Sequence, residues 1–264
     1  MKRIALLGIG SLVLLFVSLH FFAPYVLYGA KKASGTQAVS NARSIGLALF
    51  DFDSDYGRFP DASTIAAVKA VTDSTWDLKD RTSNDLFKQI IVSGITTSEE
   101  IFYAKASGAR KPDSVIVTED RTLAQGECGF AYIAGAATKC DPMRPLAVTP
   151  LIPGTFKFDP KPFDGRAIIL RADNSAASYI IRKDGTVIAP GGKDLFDPSQ
   201  PYWRGAPPDV KWADLPVPPA SIASPQWMTW VVPASIATAV MILILSIMRG
   251  RKMLLKKYPS AFTE

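Results

Sequence analysis

Two long stretches without a charged residue constrain this chain most strongly, because each is long enough to cross a bilayer as a helix. Residues 4–28 contain no Asp, Glu, Lys or Arg, and at about 1.5 Å per residue a helix of them is about 37 Å long. Residues 228–248 form a second such stretch of about 31 Å, against a hydrocarbon core about 30 Å thick. We therefore expect an N-terminal transmembrane anchor at residues 1–29 and a transmembrane helix at residues 228–248.

Two alternatives remain open at these stretches. Either stretch could also form a buried helix of a globular protein, although such helices rarely run this far without a charged residue. For the first stretch, a cleaved signal peptide is the closer alternative, because Lys2 and Arg3 precede the apolar run. No small-x-small cleavage site follows it, which favours an uncleaved anchor.

The basic residues predict which way the two spans face. By the positive-inside rule, a basic tail at residues 249–264 belongs in the cytoplasm, and two spans then bring the N-terminus to the same side. The main domain is thus expected on the side of the membrane away from the cytoplasm. Lys31 and Lys32 run against the rule, because they follow the first span on its outer side. The tail residues that carry the prediction are Arg249, Arg251, Lys252, Lys256 and Lys257.

Aromatic residues and charge agree with this topology. Tyr25, Tyr28, Trp227 and Trp230 would all lie at the outer interface of the bilayer, where Tyr and Trp are enriched. The net charge of +6 arises at the two ends, where seven basic residues accompany the single acid Glu264. The segment between the spans is neutral and has no basic stripe. We therefore expect the bilayer and other membrane or periplasmic proteins as partners, and neither nucleic acid nor a small-molecule substrate.

Both cysteines, Cys128 and Cys140, fall in the segment expected outside the cytoplasm. An oxidising compartment permits a disulfide, which would contribute about 3 kcal/mol in the chain-entropy model. Two free thiols in a reducing compartment are the alternative. A redox site is not expected, because the spacing is not C-x-x-C.

The periodicity between the spans predicts helices first and strands second. Residues 37–56 repeat apolar side chains at helical spacing, and Ser63 and Ser83 are candidate caps of two shorter helices. Lys183-Asp184-Gly185 predicts a hairpin turn. The fold class is therefore α+β, with a long N-terminal helix on an antiparallel sheet. The predicted strands are 114–118, 129–133, 146–149, 167–171, 177–182 and 186–189.

A proline-rich segment follows the predicted domain, which we place at residues 30–205. Residues 206–227 hold six prolines, a composition that favours an extended, semi-rigid linker before the second span. A polyproline ligand for a partner domain is the alternative interpretation of the same residues.

The helix at residues 37–56 and the turn after it resemble the stem of type II secretion pseudopilins. In that family a membrane helix continues into an amphipathic helix and ends in a D-x-G-x-[YF]-P turn, matched here by Tyr56, Gly57, Phe59 and Pro60. Residues 164–175 (DGRAIILRADNS) resemble the strand that closes the sheet in divergent pseudopilin-like proteins of planctomycete and verrucomicrobial type. Independently of the family, Gly57 suits a helix end that needs a positive φ, and Phe59 would then cap the core.

The resemblance implies a structural role rather than catalysis. It suggests a membrane-anchored periplasmic protein in a type II secretion or pilus-like assembly. Two departures set the chain apart from that family: no acidic residue precedes Asp51, and the C-terminal transmembrane helix is atypical. An accessory subunit of an unrelated inner-membrane complex is therefore the alternative function.

No catalytic residue is expected, because G-x-S-x-G, Walker and H-E-x-x-H motifs are all missing. We therefore expect no enzyme. The candidate metal ligands are Asp194 and Asp197, in a loop rich in Pro and Gly. The resemblance favours calcium there, because the major pseudopilin carries calcium in its C-terminal loops; solvated turn residues are the alternative.

Overall fold

The computed structural model describes the backbone of residues 2–216 and the side chains of residues 28–216. Helix α1 (Lys2–Tyr56) is continuous over 55 residues, which makes it about 82 Å long. Its C-terminal half lies on a five-stranded antiparallel sheet. The predicted α+β class, with a long N-terminal helix on an antiparallel sheet, is confirmed.

The helices precede the main strands along the chain, and the sheet has the strand order β4-β3-β2-β1-β5. Each strand pairs antiparallel with its neighbours. Within residues 2–216 the remaining helices are α2 (Ile65–Thr72), α3 (Ser83–Val92) and two 3-10 helices, Glu99–Phe102 and Pro201–Trp203. The strands are β1 (Ala131–Ile133), β2 (Pro145–Thr149), β3 (Arg166–Arg171), β4 (Ala176–Ile180) and β5 (Val210–Lys211).

The apolar stripe of α1 accounts for how the helix lies on the sheet. Its side chains at helical spacing are at most 1% exposed and join the residues of one sheet face in a single core. Gly46 lies on the same side of α1 and faces the turn between β3 and β4. The buried stripe consists of Ala38, Ala42, Ile45, Leu49 and Phe52.

The end of α1 follows the prediction made from Gly57 and its neighbours. Gly57 has φ +76°, and its N–H donates to the carbonyl of Asp53 at 2.7 Å. Phe59 is fully buried and its N–H donates to the carbonyl of Ala136 at 3.1 Å. The turn thus ends the helix, and Phe59 packs in the core, as expected.

The predicted helix caps are each displaced by one residue. Thr82, not Ser83, is the N-cap of α3, and it forms a capping box with Asp85. Ser83 turns inward instead, and its hydroxyl donates to the carbonyl of Phe130 at 2.7 Å. Thr64, not Ser63, precedes α2.

Four of the six predicted strands form β1 to β4, with slightly different ends. The turn at Gly185 (φ +82°) is also present, although the chain between β4 and β5 forms only isolated bridges such as Ile181 with Val187. The predicted strand at 114–118 is wrong. Those residues lie in the irregular loop 103–130, which has neither a helix nor a strand.

The second face of the sheet is covered by loops and by the short 3-10 helix Pro201–Trp203, without an α-helix among the described residues. Phe158, Phe196 and Trp203 are buried there against apolar side chains of β1, β2 and β3. Successive residues of a strand point to opposite faces, so both faces of the sheet are apolar and both are buried.

The start of the predicted linker belongs to the domain. Within residues 206–216, β5 pairs with β1, and Ala213 and Leu215 are buried. The carbonyl of Asp214 also accepts the N–H of Gly126 at 2.7 Å. A spacer beginning at residue 206 is therefore wrong, because the extended proline-rich chain forms the edge of the sheet.

Among the residues whose side chains the structure describes, no helix is both long and apolar enough to cross a bilayer. The side chains of residues 2–27, Tyr25 included, lie outside that set, as does everything beyond residue 216. The predictions for the linker residues 217–227, the helix 228–248 and the tail 249–264 thus fall outside the described residues. So do Trp227, Trp230, Arg249, Arg251, Lys252, Lys256 and Lys257.

Candidate functional site

The two cysteines do not form the expected disulfide, because Cys128 and Cys140 are separate free thiols. Cys128 lies inside the core before β1, with its sulfur 3.5 Å from the hydroxyl of Ser83. Cys140 lies half-buried in the loop between β1 and β2. Burial raises the pKa of Cys128 to about 11, so this thiol stays protonated and unreactive.

The predicted calcium ligands hold turns of the backbone. One Asp194 carboxylate oxygen accepts the N–H of Phe196, and one of Asp197 accepts the N–H of Ser199, both at 2.8 Å. The hydrogen bonds from Ser199 lower the pKa of Asp197. Within residues 28–216 no third acidic side chain joins these two in a group that could hold an ion. The geometry is that of turn residues, the alternative left open by the sequence.

A different acidic group is brought together at the base of the loop 103–130. Carboxylate oxygens of Glu99, Asp113 and Glu127 lie within 4.8 Å of one another. Glu99 and Glu127 are fully buried, whereas Asp113 is exposed. Sequence analysis missed this cluster, because its members are far apart in the chain and belong to no local motif.

Two arginines already compensate two of these carboxylates. Arg110 pairs with Glu127 at 2.8 Å, and Arg121 pairs with Asp113 at 2.7 Å. Arg121 accordingly lowers the pKa of Asp113. The Glu127 carboxylate also accepts the N–H of Ala124 at 2.9 Å. These contacts fold an otherwise irregular loop back on itself.

Glu99 is the member of the cluster without a cation. One of its oxygens accepts the N–H of Leu123 at 2.5 Å, and the other has no hydrogen-bond partner among the described residues. Burial, followed by the charges of Glu127 and Asp113, raises the pKa of Glu99. The arrangement therefore disfavours the charged form of Glu99, whose negative charge would be buried beside the carboxylates of Glu127 and Asp113.

A groove of about 370 Å³ lies between α1 and the part of the sheet formed by β3 and β4. Lys31 and Lys32 line it from α1, and Arg166 lines it from the start of β3. Tyr28 borders the groove with 57% of its surface exposed, and the buried Phe163 contributes to its wall. The groove thus brings together the two lysines that run against the positive-inside rule and a third cation distant in sequence.

Family models, curated proteins and solved structures were each compared with the chain, and none of them matches it.

Proposed function

We propose that this chain is a membrane-anchored periplasmic protein whose pseudopilin-like domain serves as a structural or interaction component of a type II secretion or pilus-like assembly. The observation that supports it is the continuity of α1. One helix carries both the uncharged residues 4–28 and the apolar stripe that lies on the sheet. A membrane anchor that passes into an amphipathic stem without a break is the arrangement that the pseudopilin resemblance implies.

The length of α1 gives this proposal a geometric meaning. The buried stripe begins at Ala38, about ten residues beyond the uncharged stretch, which corresponds to about 15 Å of helix. A helix that spans the bilayer over residues 4–28 would hold the sheet just outside the membrane surface. The domain would then meet partners that are themselves close to the membrane.

The outer face of α1 offers a surface for such partners. Leu47 points away from the core with 56% of its surface exposed, whereas its neighbours Gly46 and Ala48 are buried. An exposed leucine alone is ordinary on a protein surface. On a stem helix next to the membrane, it marks the face of α1 that remains available for contact with a second helix.

Membrane extraction and topology mapping test the anchoring directly. We expect the full-length protein to stay in the membrane pellet at alkaline pH, and a periplasm-active reporter to work when inserted in the exposed turn at Gly185. A protein released by alkaline carbonate, or a reporter active only in the cytoplasm, would contradict the proposal.

Site-specific crosslinking in cells tests the partner surface. A photoreactive residue at Leu47 is expected to capture a secretion or pilus component. Val71 is the matched control, because it is 71% exposed and belongs to a different helix, α2. The alternative function, an accessory subunit of an unrelated inner-membrane complex, is suggested by the uncharged stretch 228–248, which is atypical of pseudopilins. Capture of its subunits at Leu47 would support that alternative and overturn the secretion role.

A further inference from the structure

We propose that the groove between α1 and the strands β3 and β4 binds the headgroup of an anionic phospholipid. The inference rests on the proposed membrane anchoring and adds a specific ligand to it. The site is built from Lys31, Lys32 and Arg166, with Tyr28 and Phe163 at its apolar side.

The charge of the groove is unbalanced. Three of its lining side chains are cations, and Asp164 is the single acid among them. None of the three cations belongs to an ion pair with a carboxylate in the part of the chain that the structure describes. A phosphate group meets this requirement, because it accepts hydrogen bonds from several cations at once.

The backbone at Arg166 is held by the turn before it and by the pairing of Arg166 with Ile180 of β4. The preceding turn has Asp164 and Gly165 at positive φ, and the N–H of Gly165 donates to the carbonyl of Pro160 at 2.7 Å. The carbonyl of Gly165 accepts the N–H of Ile181 at 2.8 Å. The backbone from which the guanidinium projects is therefore fixed, and a guanidinium is suited to bidentate contact with phosphate.

The position of the groove identifies a lipid as the source of that phosphate. Tyr28 ends the uncharged stretch, and Lys31 follows three residues later, on the same side of the helix and about 4.5 Å further along its axis. With residues 4–28 in the bilayer, the two lysines stand at the level of the headgroups. Tyrosine is enriched at this interface, and lysine is attracted to anionic headgroups.

The size of the groove fits the headgroup of a phospholipid. A volume of about 370 Å³ is at the lower end of the range of small-molecule sites, about 300–1,000 Å³. Val39, Phe163 and Ile168 give part of the groove an apolar wall. A free inorganic phosphate would contact only the basic part of the groove. Binding of an anionic headgroup by Lys31 and Lys32 explains why these two lysines follow the first span on its outer side.

Native mass spectrometry of the full-length protein provides the test. The protein is released from nanodiscs of phosphatidylcholine with one part in five phosphatidylglycerol. We expect the ratio of phosphatidylglycerol to phosphatidylcholine retained by the wild type to be at least fivefold higher than the ratio in the bilayer. The variant Lys31→Gln/Lys32→Gln/Arg166→Gln is expected to retain both lipids in proportion to the bilayer, and Arg166→Gln alone to show an intermediate enrichment.

A matched control separates the groove from the general charge of the protein. Lys105→Gln/Lys139→Gln/Arg182→Gln removes the same charge from exposed positions outside the groove and should keep the wild-type enrichment. The proposal is overturned if the groove variant retains phosphatidylglycerol like the wild type, or if the control loses it equally. It is also overturned if phosphate ions added during release displace the lipid from the wild type as fully as the groove substitutions do.

Membrane extraction distinguishes this failure from that of the proposed function. A protein that resists alkaline carbonate but shows no enrichment is anchored without a lipid site, which overturns the groove alone. A protein that carbonate releases is not anchored, and both proposals then fail.

Discussion

Gly46 of α1 lies directly against Asn174 in the turn between β3 and β4. A Cβ atom at position 46 would overlap the side-chain oxygen of Asn174 and come within 3.2 Å of Leu170. Asn174 has φ +61°, so the turn is itself held in a conformation that few residues adopt. The closest approach of the helix to the sheet therefore depends on the missing side chain of one residue.

The first prediction follows from that contact. Gly46→Ala is expected to lower the free energy of unfolding by about 1–3 kcal/mol, because the added methyl group must displace the turn or the helix. Adding Asn174→Gly should restore part of the loss, because it removes the atom in conflict and tolerates the positive φ. Denaturant unfolding of both variants measures the effect.

Gly29 provides the control for helix propensity. It lies in the same helix with nothing near its Cβ position, so Gly29→Ala should be neutral or stabilising by up to about 1 kcal/mol. Equal changes in the free energy of unfolding for Gly29→Ala and Gly46→Ala would show that packing against Asn174 does not require a glycine at position 46.

The second prediction concerns the proton on Glu99. Because the folded protein raises the pKa of this acid, the stability that it contributes is present below the ordinary carboxyl pKa and is lost as pH rises through the raised value. Glu99→Gln keeps an acceptor for Leu123 and cannot ionise. We expect the variant to lose less stability than the wild type as pH rises above the ordinary carboxyl pKa, measured as Tm.

Glu100 is the matched control for this experiment. It adjoins Glu99 in the same 3-10 helix and is only partly buried, so Glu100→Gln should leave the pH dependence of the wild type unchanged. If Glu99→Gln shows the wild-type pH profile, the proton does not reside on this carboxyl.

The third prediction compares Thr82, the observed cap of α3, with Ser63, the residue that the sequence favours as the cap of α2. Thr82→Ala should cost about 1 kcal/mol, because it removes the side-chain oxygen that accepts the N–H of Asp85. Ser63→Ala is expected to change stability by less than about 0.5 kcal/mol, since the exposed Ser63 hydroxyl bonds only to Asp61. Thermal unfolding of the two variants would refute this assignment if their order were reversed.

The fourth prediction concerns the thiols. In protein never exposed to a reductant, we expect a maleimide to label Cys140 slowly and Cys128 only after unfolding. Cys140 is half-buried, whereas Cys128 is fully buried with a pKa of about 11. Cys140→Ser should abolish the labelling of the folded state. Protein that takes up no label even when unfolded would instead contain the disulfide that its compartment first suggested.

The sequence predicted those parts of the fold that local patterns encode. The stripe from Ala38 to Phe52 and the turn at Gly57 follow from periodicity and backbone conformation, and both are present. The caps were displaced by one residue because Ser and Thr are adjacent at both sites, and only the path of the chain decides between Thr82 and Ser83.

The errors have physical causes of a different kind. A disulfide was inferred from the compartment, which says nothing about the distance between Cys128 and Cys140. The segment from residue 206 was expected to be extended, but an extended chain is also what a sheet edge requires. Glu99 and Glu127 come together only when the loop between them has folded, so their spacing in the sequence does not predict the cluster.

The edge strand β5 has a mechanical consequence. Its two residues pair with β1, and the segment that follows is held by single contacts such as the N–H of Gly126 to the carbonyl of Asp214. Tension applied beyond Pro216 would load these bonds one after another, starting from the end, rather than all at once. The chain that closes the sheet is therefore also where the domain would yield first under a pull towards its C-terminus.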